Sequence, residues 1–164
     1  IGVGSFVYHA TLTFVGQWLD VFTMYLFGLL LALGAMWRSG RFGGRASVAL
    51  FVGLAIVLGV AQYFYPDARR ILFVAVLLPG IVLELMPRTT GHALKSPRMR
   101  WVIAGVATML VAYGIWVLDQ TALCDPTSWL QGHAVWHTLG AVAAFLVTVH
   151  WRRNAHAARI EPAV

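Results

Sequence analysis

Six predominantly apolar runs, separated by short polar or basic breaks, restrict this chain to very few architectures. They cover about residues 1–13, 18–37, 47–65, 71–86, 101–118 and 129–151. At about 1.5 Å of rise per residue, roughly 20 apolar residues in a helix cross the ~30 Å hydrocarbon layer of a bilayer. The composition agrees. Of the 164 residues, 60% are hydrophobic and 11% are charged, against about 25% charged in soluble domains. The expected fold class is all-α, a polytopic transmembrane helix bundle forming one domain over residues 1–164, with a polar tail from 152 to 164. The chain opens at Ile1 inside an apolar run. The first segment therefore reads as the second half of a membrane helix, and the sequence as a fragment lacking at least one preceding helix.

The breaks carry turn and capping signals. Gly16-Gln17 is the expected turn between the first two helices. Arg38, Arg41 and Arg45, interleaved with Gly40, Gly43 and Gly44, form a basic loop, and Pro66-Asp67 ends the third run. Pro79-Gly80 predicts a kink in the fourth. Ser128 is the expected N-cap of the last helix, which should finish at Arg152-Arg153. Ten of the 12 Lys and Arg residues lie on the side holding the 38–45 loop, the 87–100 loop and the tail; Arg69 and Arg70 lie on the other. This bias places the tail in the cytoplasm, as in a multi-pass protein of a bacterial-type inner membrane. The net charge of +6 is scattered over short loops, which argues against nucleic acid as a partner. Glu84 reads as an interfacial, solvated carboxylate, and Cys124, the single cysteine, as an inert thiol with no internal disulfide partner. His92, His150 and His156 read as surface or interfacial residues without a metal role.

Polar side chains inside the runs are the functional candidates, because an unpartnered imidazole or carboxylate is costly in hydrocarbon. His133 and His137 are four residues apart, hence on one helical face, as are Ser5 and His9; Asp20 opens the second helix. The alternation of spans puts all five on the same side of the membrane. Three neutral imidazoles with one open position make a zinc catalytic set. Asp20 could then orient a ligand or hold a water, and Ser5 could hydrogen-bond that water or a developing oxyanion. Gly2, Gly4, Gly132 and Gly140 would allow the first and last helices to approach closely. The pair is H-x-x-x-H without the glutamate of H-E-x-x-H, so a base must come from elsewhere. Asp20 is the intramembrane carboxylate on that face. Two other readings use the same residues. One is interfacial histidines bonded to neighbouring helices. The other is bis-histidine haem ligation, which leaves one histidine idle and gives Asp20 and Ser5 no role. Retinal-type chemistry is excluded, since the one lysine, Lys95, lies in a loop.

Gly2-Val3-Gly4-Ser5, His9-Ala10-Thr11-Leu12, Gln17, Asp20 and Gln131-Gly132-His133-Ala134-Val135-Trp136-His137 together resemble the alkaline ceramidase family. That family belongs to a wider group of seven-helix membrane hydrolases that includes the adiponectin receptors and the Per1 proteins. The resemblance runs from Ile1 to about Trp151 and implies a seven-helix architecture of which about six segments are present, the first in part. It implies Zn2+ held by His9, His133 and His137, with Ser5 and Asp20 as the catalytic residues beside the water it activates. It implies a ceramide-like lipid substrate drawn from the bilayer and cleaved at its N-acyl amide to fatty acid and sphingoid base. The acyl chain is expected between helices, near Leu12, Met24 and Phe27. Two departures stand out. The family commonly continues Asp-Glu-x-Pro-Met where this chain has Asp20-Val21-Phe22-Thr23-Met24, and the acidic N-terminal segment that binds calcium in animal members is absent, so no calcium site is expected. The charge count also places the zinc on the non-cytoplasmic face, whereas eukaryotic relatives hold it nearer the cytosol. The rival readings are a non-catalytic zinc-binding receptor or structural bundle with Asp20 as fourth ligand, and a Per1-type lipid ester hydrolase. Oligomeric state has no signal in the sequence.

Overall fold

The computed structural model describes residues 1–86, 99–121 and 131–160, without the side chains of 120–121 and 154–160. Cys124, Ser128, His92 and Lys95 lie outside the described residues. Six α-helices account for nearly all of the described chain, and no strand occurs among the described residues: α1 (Gly2–Thr11), α2 (Phe14–Arg38), α3 (Gly44–Phe64), α4 (Arg69–Leu85), α5 (Met99–Thr121) and α6 (Gly132–Ile160). Four of them, α2, α3, α5 and α6, are long and apolar enough to cross a membrane. Their outer faces carry exposed Val57, Val60, Leu110 and Phe145. Apolar surface on that scale belongs against lipid. The protein is an all-α integral membrane bundle. Its helices group into two units, Ile1–Met86 and Pro87–Val164.

In the first unit α2 packs against α1, α3 and α4. The expected turn at Gly16-Gln17 is instead at Leu12-Thr13. Leu12 takes the left-handed conformation (φ 50°, ψ 29°), with its N–H donating to Tyr8 O. Thr13 is the N-cap of α2, its hydroxyl accepting from Gly16 N at 3.1 Å. A threonine cap satisfies an orphan N–H of the first turn, and that local bond prevails over the turn propensity of glycine. Gly16 lies inside α2, and a side chain does not fit there: a Cβ would sit 2.8 Å from Tyr8 Cα. At its other end α2 stops through Gly40 (φ 72°), with Arg41 N donating to Met36 O at 3.0 Å, a left-handed glycine closure.

α3 returns antiparallel to α2. The Trp18 indole donates to Gly59 O at 2.9 Å, and Gln62 Nε2 donates to Trp18 O at 3.3 Å. Tyr65 and the one-turn 3-10 helix Pro66–Ala68 then lead into α4. α4 runs through Pro79 without ending and lies parallel to α2. Tyr25 OH donates to Arg69 O at 3.1 Å near its start. Gly80 meets Leu31 and the backbone of Ala32 in the middle, and Arg38 pairs with Glu84 at the far end. Glu84 is thus not a solvated interfacial carboxylate but a buried one, its side chain 1% exposed. A buried carboxylate is tolerated where a guanidinium pairs with it. Gly34 leaves the room in which the Arg38 guanidinium folds back.

In the second unit α5 and α6 pack along their length. A Cβ at Gly105 would sit 3.2 Å from Ala143 O and from Val147 Cγ2, so the two backbones approach closely there. α6 continues as helix past Arg152-Arg153 to Ile160, since Ala155, Ala157, Ala158 and Arg159 are strong helix formers and no proline occurs before Pro162. His150, expected at the surface, is buried at 3% exposure. It sits 13 residues beyond His137, about 20 Å along the helix.

Candidate functional site

The first unit carries three of the five candidate residues on its α1–α2 hairpin. Ser5 and His9 share one face of α1; Ser5 is buried and His9 exposed. Asp20 lies in the second turn of α2 and is buried at 6% exposure. What brings α1 onto this part of α2 is Gly4. A Cβ there would lie 2.9 Å from Leu19 O and 3.3 Å from Asp20 Cα. The residue next to Ser5 therefore touches the backbone at Asp20 directly.

Two other motif residues turn out to shape this hairpin. Gln17 Nε2 donates to Tyr8 OH at 3.3 Å, and Thr11 Oγ1 donates to Val7 O at 2.7 Å. The Tyr8 ring in turn lies 5.0 Å from that of His9. Leu12, expected to line an acyl cavity, is the exposed left-handed residue that ends α1.

Asp20 Oδ1 is buried with no hydrogen-bond partner among the described residues. A buried acceptor left unmatched costs about 1–3 kcal/mol, more when charged. Such an oxygen marks a place where a donor or a cation belongs.

The second unit carries the histidine pair. His133 and His137, both half-buried, point the same ring nitrogen at one spot: their Nε2 atoms are 3.0 Å apart and the rings meet at 72°. Two nitrogens bound to one tetrahedral zinc at about 2.0–2.1 Å would be roughly 3.3 Å apart. The donor pair therefore suits a metal ion with little adjustment. Between them in sequence, Trp136 is buried in the α5–α6 interface, beside Tyr113 (6.3 Å) and Trp116 (5.9 Å).

Of the four glycines expected to let the first and last helices approach each other, two instead make close contacts with other helices within their own units. Gly4 meets α2, and Gly132 meets Asp119, whose Oδ1 accepts from Gly132 N at 3.0 Å. Gly2 and Gly140 have nothing within 4 Å. The sequence reading assigned nothing to Asp119 or to Arg38–Glu84. In each case the partner is remote in sequence, and the one local signal is a carboxylate within or just after an apolar run.

These features define a polytopic α-helical membrane protein with a paired-imidazole donor set in one unit and a buried, unmatched carboxylate in the other. The sequence profile of the ceramidase family matches residues 1–161. The chain belongs to that family. It is similar to a Dictyostelium discoideum protein named "Putative alkaline ceramidase dcd3B", at 28% identity over 169 aligned positions covering 88% of this chain. The chain spans 57% of the length of that curated relative. No solved structure matches it.

Proposed function

We propose that this chain is a zinc-dependent membrane amidohydrolase that cleaves the N-acyl amide of ceramide-like lipids, yielding a fatty acid and a sphingoid base. His9, His133 and His137 would hold the ion. Family membership supports the substrate class. The observation that carries the chemistry is the pair of His Nε2 atoms 3.0 Å apart in the second unit; the first unit separately holds a buried Asp20 oxygen without a partner among the described residues.

Zinc, when bound, would supply Lewis acidity, polarising a carbonyl and lowering the pKa of a water toward about 7. In this reading the three imidazoles bind in their neutral form and leave one position open. Asp20, acceptor-only while ionised, orients the attacking water, takes one of its protons and delivers that proton to the leaving amine nitrogen. Ser5 donates its hydroxyl to the carbonyl oxygen as negative charge gathers there. One water is consumed and the C–N bond breaks.

The same reading treats residues 1–164 as one ceramidase-like domain and sets the tail in the cytoplasm by its charge count; accessibility of a cysteine introduced at the tail, probed from each side, checks the orientation. The unmatched Asp20 oxygen is also compatible with a fourth zinc ligand in a closed, non-catalytic site. Release of fatty acid from ceramide by the purified protein, with and without a chelator, separates the two. Retained zinc without turnover of any N-acyl lipid rejects the hydrolase. Faster turnover of an ester analogue than of the amide points to a Per1-type lipase.

A further inference from the structure

We propose that Asp119 is a positioning residue for the zinc site, holding the start of α6 so that His133 and His137 present both Nε2 atoms to one ion. The proposal rests on the metal reading above. Its geometry lies entirely within the second unit.

Asp119 sits near the C-terminal end of α5, half-buried, and its Oδ1 accepts from Gly132 N at 3.0 Å. Gly132 is the first residue of α6 and the neighbour of His133. The first N–H groups of any helix have no partner within the helix. Here a carboxylate 13 residues upstream supplies one, acting as a cap brought from the adjacent helix. Its negative charge at the positive end of α6 also favours the helical state of the first turn.

The contact is direct because Gly132 has no side chain. A Cβ there would lie 2.5 Å from Asp119 Oδ1 and 2.6 Å from Asp119 Cβ. Farther along, α5 and α6 are tied by the Trp136 cluster with Tyr113 and Trp116 and by the close approach at Gly105. The Asp119–Gly132 bond is a tie at the histidine end. In this proposal it sets the rotation and rise of the turn that carries His133, whose Nε2 lies 3.0 Å from that of His137. The device depends on hydrogen-bond geometry more than on charge, because the acceptor oxygen must reach one specified N–H.

The test is zinc affinity of the full chain in detergent, measured by competition with a fluorescent chelator, together with hydrogen exchange of the α6 amides in the metal-free protein. For Asp119→Ala the expected result is a 10–100-fold weaker zinc affinity, the usual loss when a group supporting a metal ligand is removed. Faster exchange should be confined to the first turn of α6. Asp119→Asn keeps an acceptor of the same length and should stay within about threefold of the parent, as asparagine caps about as well as aspartate. Asp119→Glu keeps the charge but misplaces the oxygen and should fall clearly below the asparagine variant; that comparison decides the matter if the alanine variant fails to fold. Unchanged zinc affinity in a folded Asp119→Ala protein, or a glutamate variant equal to or tighter than the asparagine one, overturns the proposal. A parent chain that binds no zinc at all overturns the metal reading itself, and this proposal with it.

Discussion

Replacing Gly4 with alanine is the most local way to disturb the α1–α2 hairpin without touching a functional side chain. The added Cβ would lie 2.9 Å from Leu19 O, 3.2 Å from Leu19 C and 3.3 Å from Asp20 Cα. All three are backbone atoms of a helix, which cannot rotate away as a side chain would. Relief to ordinary van der Waals contact requires α1 to retreat by about half an ångström, and overpacking of this kind costs about 1–3 kcal/mol. Ser5 is the next residue and moves with it. A misplacement of about 1 Å costs on the order of 100-fold in rate, so half of that predicts a loss of about tenfold in kcat, with a melting temperature lowered by several degrees. Gly2 provides the control, having nothing within 4 Å, and alanine there should be neutral or slightly stabilising through helix propensity. Fatty-acid release from ceramide and thermal unfolding in detergent, run in parallel on both variants, read the difference. If Gly4→Ala matches Gly2→Ala in both measurements, the close approach of α1 to Asp20 is not what organises the hairpin.

Asp20→Asn should retain zinc and lose about 100-fold or more in turnover, because an amide cannot relay the proton; metal content and product release measured on the same sample check this. His133→Ala should abolish zinc binding, whereas His150→Ala, although it removes a buried side chain, should destabilise the protein and leave zinc stoichiometry intact; equal zinc loss in both would mean the ligand assignment is wrong. Arg38→Met leaves the Glu84 carboxylate buried without its guanidinium and should cost about 3–5 kcal/mol, while the double replacement Arg38→Met with Glu84→Leu should recover most of that loss. Denaturation of the three proteins measures the coupling, and a double variant no better than the single one refutes it.

The four long spans were legible because a run of about 20 apolar residues has few alternatives, and polar groups inside such runs are rare enough that five of them could be singled out as candidates. The errors share one cause. Gly16-Gln17 reads as a turn from composition, yet Thr13 decides the position through a hydroxyl bond to the Gly16 backbone. Glu84 reads as a solvated carboxylate and His150 as a surface or interfacial residue because their surroundings in sequence are interfacial, while burial depends on neighbours that pattern does not name: the partner of Glu84 is 46 residues away. Gly2 and Gly4 look alike in sequence and differ only in which of them faces α2. Periodicity reports which face of a helix is apolar, not what that face meets.

The ties between α2 and α4 bear on how the protein is made. α4 has 17 residues, begins with Arg69-Arg70 and carries Glu84 one residue before its end, so it is a poor passenger for an insertion machinery that sorts segments by hydrophobicity. α2 precedes it in synthesis and holds it at both ends, through Tyr25 OH on Arg69 O and through Arg38 on Glu84. The ion pair itself forms only once both helices are in place. On this reasoning the fourth helix would depend on the second for its insertion. Substitutions at Arg38 or Glu84 should then show themselves first as a shortfall in membrane-integrated protein during expression, ahead of any defect in the molecules that mature.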